Sequence, residues 1–176
     1  KIDPAKGIGA ATQYLSNKLN GYIKSSAGRA IVEKIEYRAG AKDTRLGREI
    51  TLTNVVATFK GSNKEDNRII VLLAHYDSRA DNNSDSTAFA PGANDNGSGV
   101  AALLEIARIL SGMETPVTIK LMFLSGEEHG LLVVVGVLAR LAHAVVAVDR
   151  GRERRSIAAD LAGELLPGRE SRGVSG

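Results

Sequence analysis

The sequence contains no cysteine and no tryptophan, only three histidines and four prolines, and no apolar run of the length that a membrane helix needs. Without cysteine there are no disulfides and no thiolate metal sites, so any bound metal has to be held by His, Asp and Glu. A bilayer span takes about 18 consecutive apolar residues. The richest runs, 69–74 and 131–138, are far shorter, so no membrane span is expected. Aromatic residues make up 4% of the chain. With so few stacking platforms and no groove-reading module, the net charge of +3 does not point to nucleic acid. The chain starts at Lys1 with neither an initiator Met nor an apolar leader, as expected of a processed protein or a fragment.

What is present is an ordinary globular composition, 43% hydrophobic and 24% charged over 176 residues, enough for one domain with a core. Helical spacing of Ala11, Tyr14, Leu15, Leu19, Tyr22 and Ile23 predicts an amphipathic helix over 10–24. Residues 31–37 alternate and 50–59 are rich in Thr and Val, so both predict strands. The polar cluster 61–67 reads as a hairpin loop into the next strand. The continuous apolar run 69–74 suits a central strand buried on both faces. Val100, Leu103, Leu104, Ala107 and Leu110 predict a helix starting near Asp95, and 117–124 a further strand. Strand, helix, strand implies a crossover in a parallel or mixed sheet, whose ligands lie beyond the carboxyl ends of the strands.

After Leu132 the composition changes. All nine Lys precede that point, whereas 133–176 hold seven of the fourteen Arg and no Lys, Asn, Gln, Thr, Tyr, Phe or Met. We therefore expect a domain over 1–132 and a compositionally distinct tail over 133–176, disordered in part or read from a shifted frame.

Three islands fall where strands end or helices begin: His75-Tyr76-Asp77, the glycine-rich 91–99 around Asp95, and Ser125-Gly126-Glu127-Glu128-His129-Gly130. Imidazole and carboxylate hold Zn²⁺ while leaving room for water. His75 is a candidate ligand, with Asp77 positioned to accept its other ring N–H. Asp95 is a candidate bridge between two cations, or the N-cap of the following helix. Glu127 and Glu128, adjacent and pointing apart, suit two roles, one as ligand and one as general base; the alternative is a favourable acidic first turn of a helix. Taken together, His75, Asp77, Asp95 and the Glu pair, separated by 20 and 32 residues, are not a chance order.

The strings HYD, PGANDNGSG and SGEEHGL, within 54–132, resemble the M28 family of zinc-dependent aminopeptidases and carboxypeptidases. The resemblance implies an α/β fold, a mixed and largely parallel sheet flanked by helices, here incomplete at its C-terminal end. It implies two zinc ions, with His75 on one, Glu128 on the other, Asp95 bridging both, Asp77 supporting His75 and Glu127 as general base on a zinc-bridging water. The substrate so implied is a peptide with a free N-terminus, although relatives include carboxypeptidases and glutaminyl cyclases, and the location extracellular or periplasmic. The family completes its site with a later Asp and a final His. Asp149 is the candidate for the former and His143 a weaker one for the latter; His129 is not a ligand by the family pattern. A catalytically inactive remnant of the same fold, lacking two zinc ligands, is the alternative. Ser98 has no partner His and no GxSxG elbow, which removes a serine hydrolase, and a Ca²⁺ loop at 81–85 lacks the Gly and distal Glu of an EF-hand.

Overall fold

The computed structural model describes residues 6–39, 49–81 and 88–129. Its helices and strands all belong to the unit Lys1–Val134. The expectations placed on Asp149, His143 and 133–176 lie outside the described residues.

The first helix, α1 (Gly7–Tyr22), buries Gly9, Thr12, Leu15, Ser16 and Leu19, one face at three- and four-residue spacing. A short 3-10 turn follows, ending at Ala27 in the left-handed region. The strands are β1 (Ala30–Ala39), β2 (Ile50–Phe59), β3 (Ile69–His75) and β4 (Thr118–Leu124), with α2 (Ser98–Ser111) between the last two. They form one sheet in the order β1-β2-β4-β3. β1 pairs antiparallel with β2 and β2 with β4, while β3 runs parallel to β4. The sheet is mixed as expected. Among the described residues its parallel part is confined to the pair joined through α2, because a parallel neighbour needs a crossover rather than a tight turn.

The core lies between α1, α2 and one face of the sheet. Leu15 and Leu19 of α1, Leu103, Ala107 and Leu110 of α2, and Val55, Ala57, Phe59, Leu121 and Phe123 of β2 and β4 form a single buried cluster. Each large side chain buried there stabilises the fold by about 1.5–3 kcal/mol relative to exposure. The opposite face is buried as well at Leu52, Val56, Met122 and Leu124, so β2 is buried on both sides from Leu52 onward.

Two expectations are corrected here. Residues 61–67 are not a hairpin loop, because β4 sits between β2 and β3 in the sheet. β3 is not central and doubly buried: it is the last strand of the described sheet, and Ile70, Leu72 and Leu73 are exposed. A short apolar run says that a strand forms; it does not say how many neighbours that strand has.

Candidate metal centre

Parallel pairing of β3 with β4 sets the register that builds the site. His75, the last residue of β3, lies opposite Leu124, the last residue of β4. The Tyr76 N–H donates to the Leu124 carbonyl at 2.8 Å. The two chains thus leave the sheet side by side, one carrying Asp77 and the other Glu127 and Glu128. The second chain turns at Gly126, whose φ of +90° is a backbone conformation that disfavours any side chain.

The segment carrying Asp95 is brought back over His75 from the N-terminal side of α2. Ser78 Oγ donates to the Ala90 carbonyl at 3.1 Å. A Cβ on Gly92 would lie 2.6 Å from Ser78 Cβ, so only glycine fits that crossing. Residues Ala93–Gly97 form a tight turn closed by the Gly97 N–H donating to the Gly92 carbonyl at 2.8 Å, with Asp95 and Asn96 outside helical backbone geometry. Asp95 is not the N-cap of α2. Asn96 Oδ1 accepts the Gly99 N–H at 3.1 Å, which satisfies one N–H of the first helical turn and leaves the Asp95 carboxylate for other partners.

The side chains from the three islands converge. His75 Nε2 lies 3.0 Å from Asp95 Oδ1 and 3.8 Å from Glu127 Oε2. His75, Asp95 and Glu128 each offer a donor atom, and those three atoms lie within 4.8 Å of one another. The two adjacent glutamates therefore both reach the cluster. His75 is buried, whereas the Asp95 and Glu127 side chains are 77% and 38% exposed and form the solvent side.

The chain orients His75 differently from the expectation. Its Nδ1 is held by the Asp77 backbone carbonyl at 3.1 Å, with the Asp77 carboxylate further off at 3.6 Å. That buried carboxylate instead accepts the N–H groups of Glu127 and Glu128 at 3.3 and 3.2 Å. Asp77 thus ties the end of β3 to the turn after β4. Burial works to lower the His75 pKa, but the Asp77 carbonyl and the carboxylates of Asp77, Asp95 and Glu127 outweigh it, and the net shift is upward. The surroundings are built to hold positive charge at Nε2.

A hydrogen-bonded group beneath the glutamate turn was not foreseen from sequence. Ser125 is fully buried, and its Oγ donates to the Thr53 carbonyl at 2.9 Å and accepts the Thr53 N–H at 3.2 Å. The Ser125 N–H donates to Asn54 Oδ1 at 3.0 Å, and the Tyr37 hydroxyl donates to the Ser125 carbonyl. Burial pushes the Tyr37 phenol up to about 12, against the lowering pull of that hydrogen bond. The signal available in the sequence was Asn54 inside a Val- and Thr-rich strand, since a buried amide must find partners. Arg79 was also missed; its Nε lies 4.0 Å from Glu128 Oε2.

The model of peptidase family M28 matches residues 54–139, the stretch that contains all three islands. The chain belongs to peptidase family M28. A curated relative in Pyricularia oryzae, named a probable zinc metalloprotease, is 40% identical to this M28 chain over 131 residues, 74% of the chain and 26% of the relative. Aminopeptidase YwaD of Bacillus subtilis is 38% identical over 110 residues, 62% of the chain and 22% of its own length. Among solved structures, a glutaminyl cyclase of Bacteroides thetaiotaomicron matches with a TM-score of 0.52 and 32% identity, covering 70% of this chain and 40% of the cyclase. The chain therefore spans about a quarter of the length of the curated relatives it matches.

The M28 relatives imply zinc, and the donor set fits it. One imidazole nitrogen and two carboxylate oxygens are the donors zinc takes in proteins, and three protein ligands are the number found at catalytic sites. The free nitrogen of His75 is the one facing Asp95, its other nitrogen being occupied by the Asp77 carbonyl, which is the outer-shell arrangement that fixes a ligating imidazole.

Proposed function

We propose that this M28 chain works as a zinc-dependent exopeptidase that removes residues from the free N-terminus of a peptide. The observation that carries the reading is the convergence of His75, Asp95 and Glu128 into one donor set with Glu127 beside it. His75, Asp95 and Glu128 would hold the metal. The three donor atoms lie close enough to serve one zinc; with two ions bound, His75 and Glu128 would serve different ones.

Zinc, when bound, polarises the scissile carbonyl and makes water a better nucleophile. Glu127 takes the proton from the attacking water as its oxygen bonds to the carbonyl carbon, then delivers that proton to the amine nitrogen as the C–N bond breaks. Glu127 suits this role because it stands next to the donor set without belonging to it and is partly open to solvent. Asp77 keeps Glu127 and Glu128 in register with His75 through their backbone amides. The similarity to aminopeptidase YwaD of Bacillus subtilis supports an N-terminal over a C-terminal cut.

The test is hydrolysis of an aminoacyl 4-nitroanilide by the zinc-loaded chain. The free-amine substrate should turn over and its N-acetylated counterpart should not. Glu127→Gln should lose about 10²–10⁴-fold in kcat while still binding zinc. Hydrolysis that survives Glu127→Gln unchanged would remove the base from the mechanism. Zinc binding without any turnover would favour the second reading, an inactive chain of the same fold, for which the want of a second donor set among the described residues speaks.

A further inference from the structure

The Glu127-Glu128 turn is held on its strand side by residues that belong to none of the three islands. The register of β2 with β4 runs from Phe59 opposite Ile119 to Val55 opposite Phe123. Continued by two residues, it sets Ser125 opposite Thr53. At that position the Ser125 side chain takes both main-chain groups of Thr53, the bonds that another backbone pair would otherwise make. The strand can then leave the ladder and turn at Gly126 with no buried Thr53 group unpaired.

The remaining polar groups of Ser125 are also engaged. Its N–H is held by Asn54 on β2 and its carbonyl by Tyr37 on β1. Tyr37 shares a sheet face with Leu52 through its pairing in β1 and lies outside the segment matched by the family model. From the other side, Tyr76 donates to the Thr53 carbonyl and shares a hydrogen bond of 2.8 Å with Thr12 of α1. Ser125 is thus fixed from β1, β2 and, through Tyr76, α1. Beyond it, the Asp77 carboxylate fixes the next two amides.

We propose that Tyr37 and Ser125 form a latch that positions Glu127 and Glu128 against His75, with Tyr37 as a positioning residue supplied by β1. Without the Tyr37 donor, the Ser125 carbonyl is buried without this partner, and an unsatisfied buried acceptor is relieved by moving. The backbone that moves carries one proposed zinc ligand and the proposed base. Only the zinc consequence rests on the function proposed above; the placement of the turn does not.

The experiment compares the full chain with Tyr37→Phe, which keeps the ring and removes the donor. Ser125→Ala is the second latch variant, and Ile119→Val, packed against the core, is the control. Amide hydrogen exchange at Glu127 and Glu128 is measured together with zinc affinity, well below each unfolding midpoint. Both latch variants should speed exchange at those two amides while Leu103 to Leu110 in α2 keep wild-type protection. They should weaken zinc binding by about 10–100-fold, the usual cost of losing a residue that orients ligands. The control should change neither. Exchange that is unchanged at Glu127 and Glu128, or that rises equally in α2, overturns the latch. A wild-type chain that takes up no zinc contradicts the function proposed above, while the exchange result still decides the latch.

Discussion

At the scale of single residues, the site depends on which partner each carboxylate takes. Asp77 accepts two backbone amides, Asp95 faces the His75 nitrogen, and Glu128 completes the donor set. Sequence placed these residues near one another but could not assign partners, since an Asp two residues after a His fits a carboxylate contact and a backbone contact equally well. The crowding of negative charge around His75 has a consequence for pH. Its folded pKa is raised above the ordinary 6.5. In the metal-free chain, protonated His75 contributes stability that is fully present below about pH 6.5 and is lost as pH rises through the raised folded value. Chemical denaturation of the metal-free chain between pH 6 and 8, on the order of that window, should show this decline, and His75→Gln should flatten it. Zinc affinity should run the other way, weakening as pH falls, because the proton and the metal compete for the same nitrogen. A metal-free stability that rises through this window would contradict the assignment of His75's surroundings.

At the scale of elements, α2 has two tasks: it covers the sheet with Leu103, Ala107 and Leu110, and its approach segment delivers Asp95. The first was legible as helical spacing, as was α1, and the four strands were legible from alternation, Thr and Val content and short apolar runs. The second was legible only in part. The glycines of 91–99 signalled a tight approach, but the turn closed from Gly97 to Gly92 and the bond of Asn96, not Asp95, to the Gly99 N–H depend on tertiary placement. The β2–β3 connection was misread as a hairpin because turn chemistry identifies a reversal and not which strand pairs with which; β4, about 60 residues further along the chain, takes the place beside β2. Leu103→Ala removes a buried side chain from the centre of the cluster and should destabilise the fold by about 2–5 kcal/mol, read from the denaturation midpoint. The substitution lies away from the donor set, so zinc affinity at temperatures well below the transition should stay at the wild-type value. A loss under about 1 kcal/mol would mean that α2 is not packed as described.

At the scale of the whole molecule, a mixed sheet with helices on one face brings two strand ends and one helix approach to the same edge. Three segments distant in sequence thereby share one candidate metal centre. Ligand sites at the carboxyl ends of parallel strands are the rule for such sheets, which is why His75 and the glutamate pair could be assigned to one place before any coordinates. Tyr37, Asn54 and Arg79 escaped because each is unremarkable in its own segment and acquires a partner only across the sheet or at its edge. The matched relatives are about four times as long as the segment they share with this chain, and the described part of that segment holds the donor set His75, Asp95 and Glu128. The most direct measurement is an equilibrium zinc titration of the wild-type chain beside Asp95→Ala and Glu128→Ala. The account predicts saturable binding of at least one zinc per wild-type chain, sharply weakened in both variants. No zinc binding by the wild type, or equal binding by all three, would contradict it.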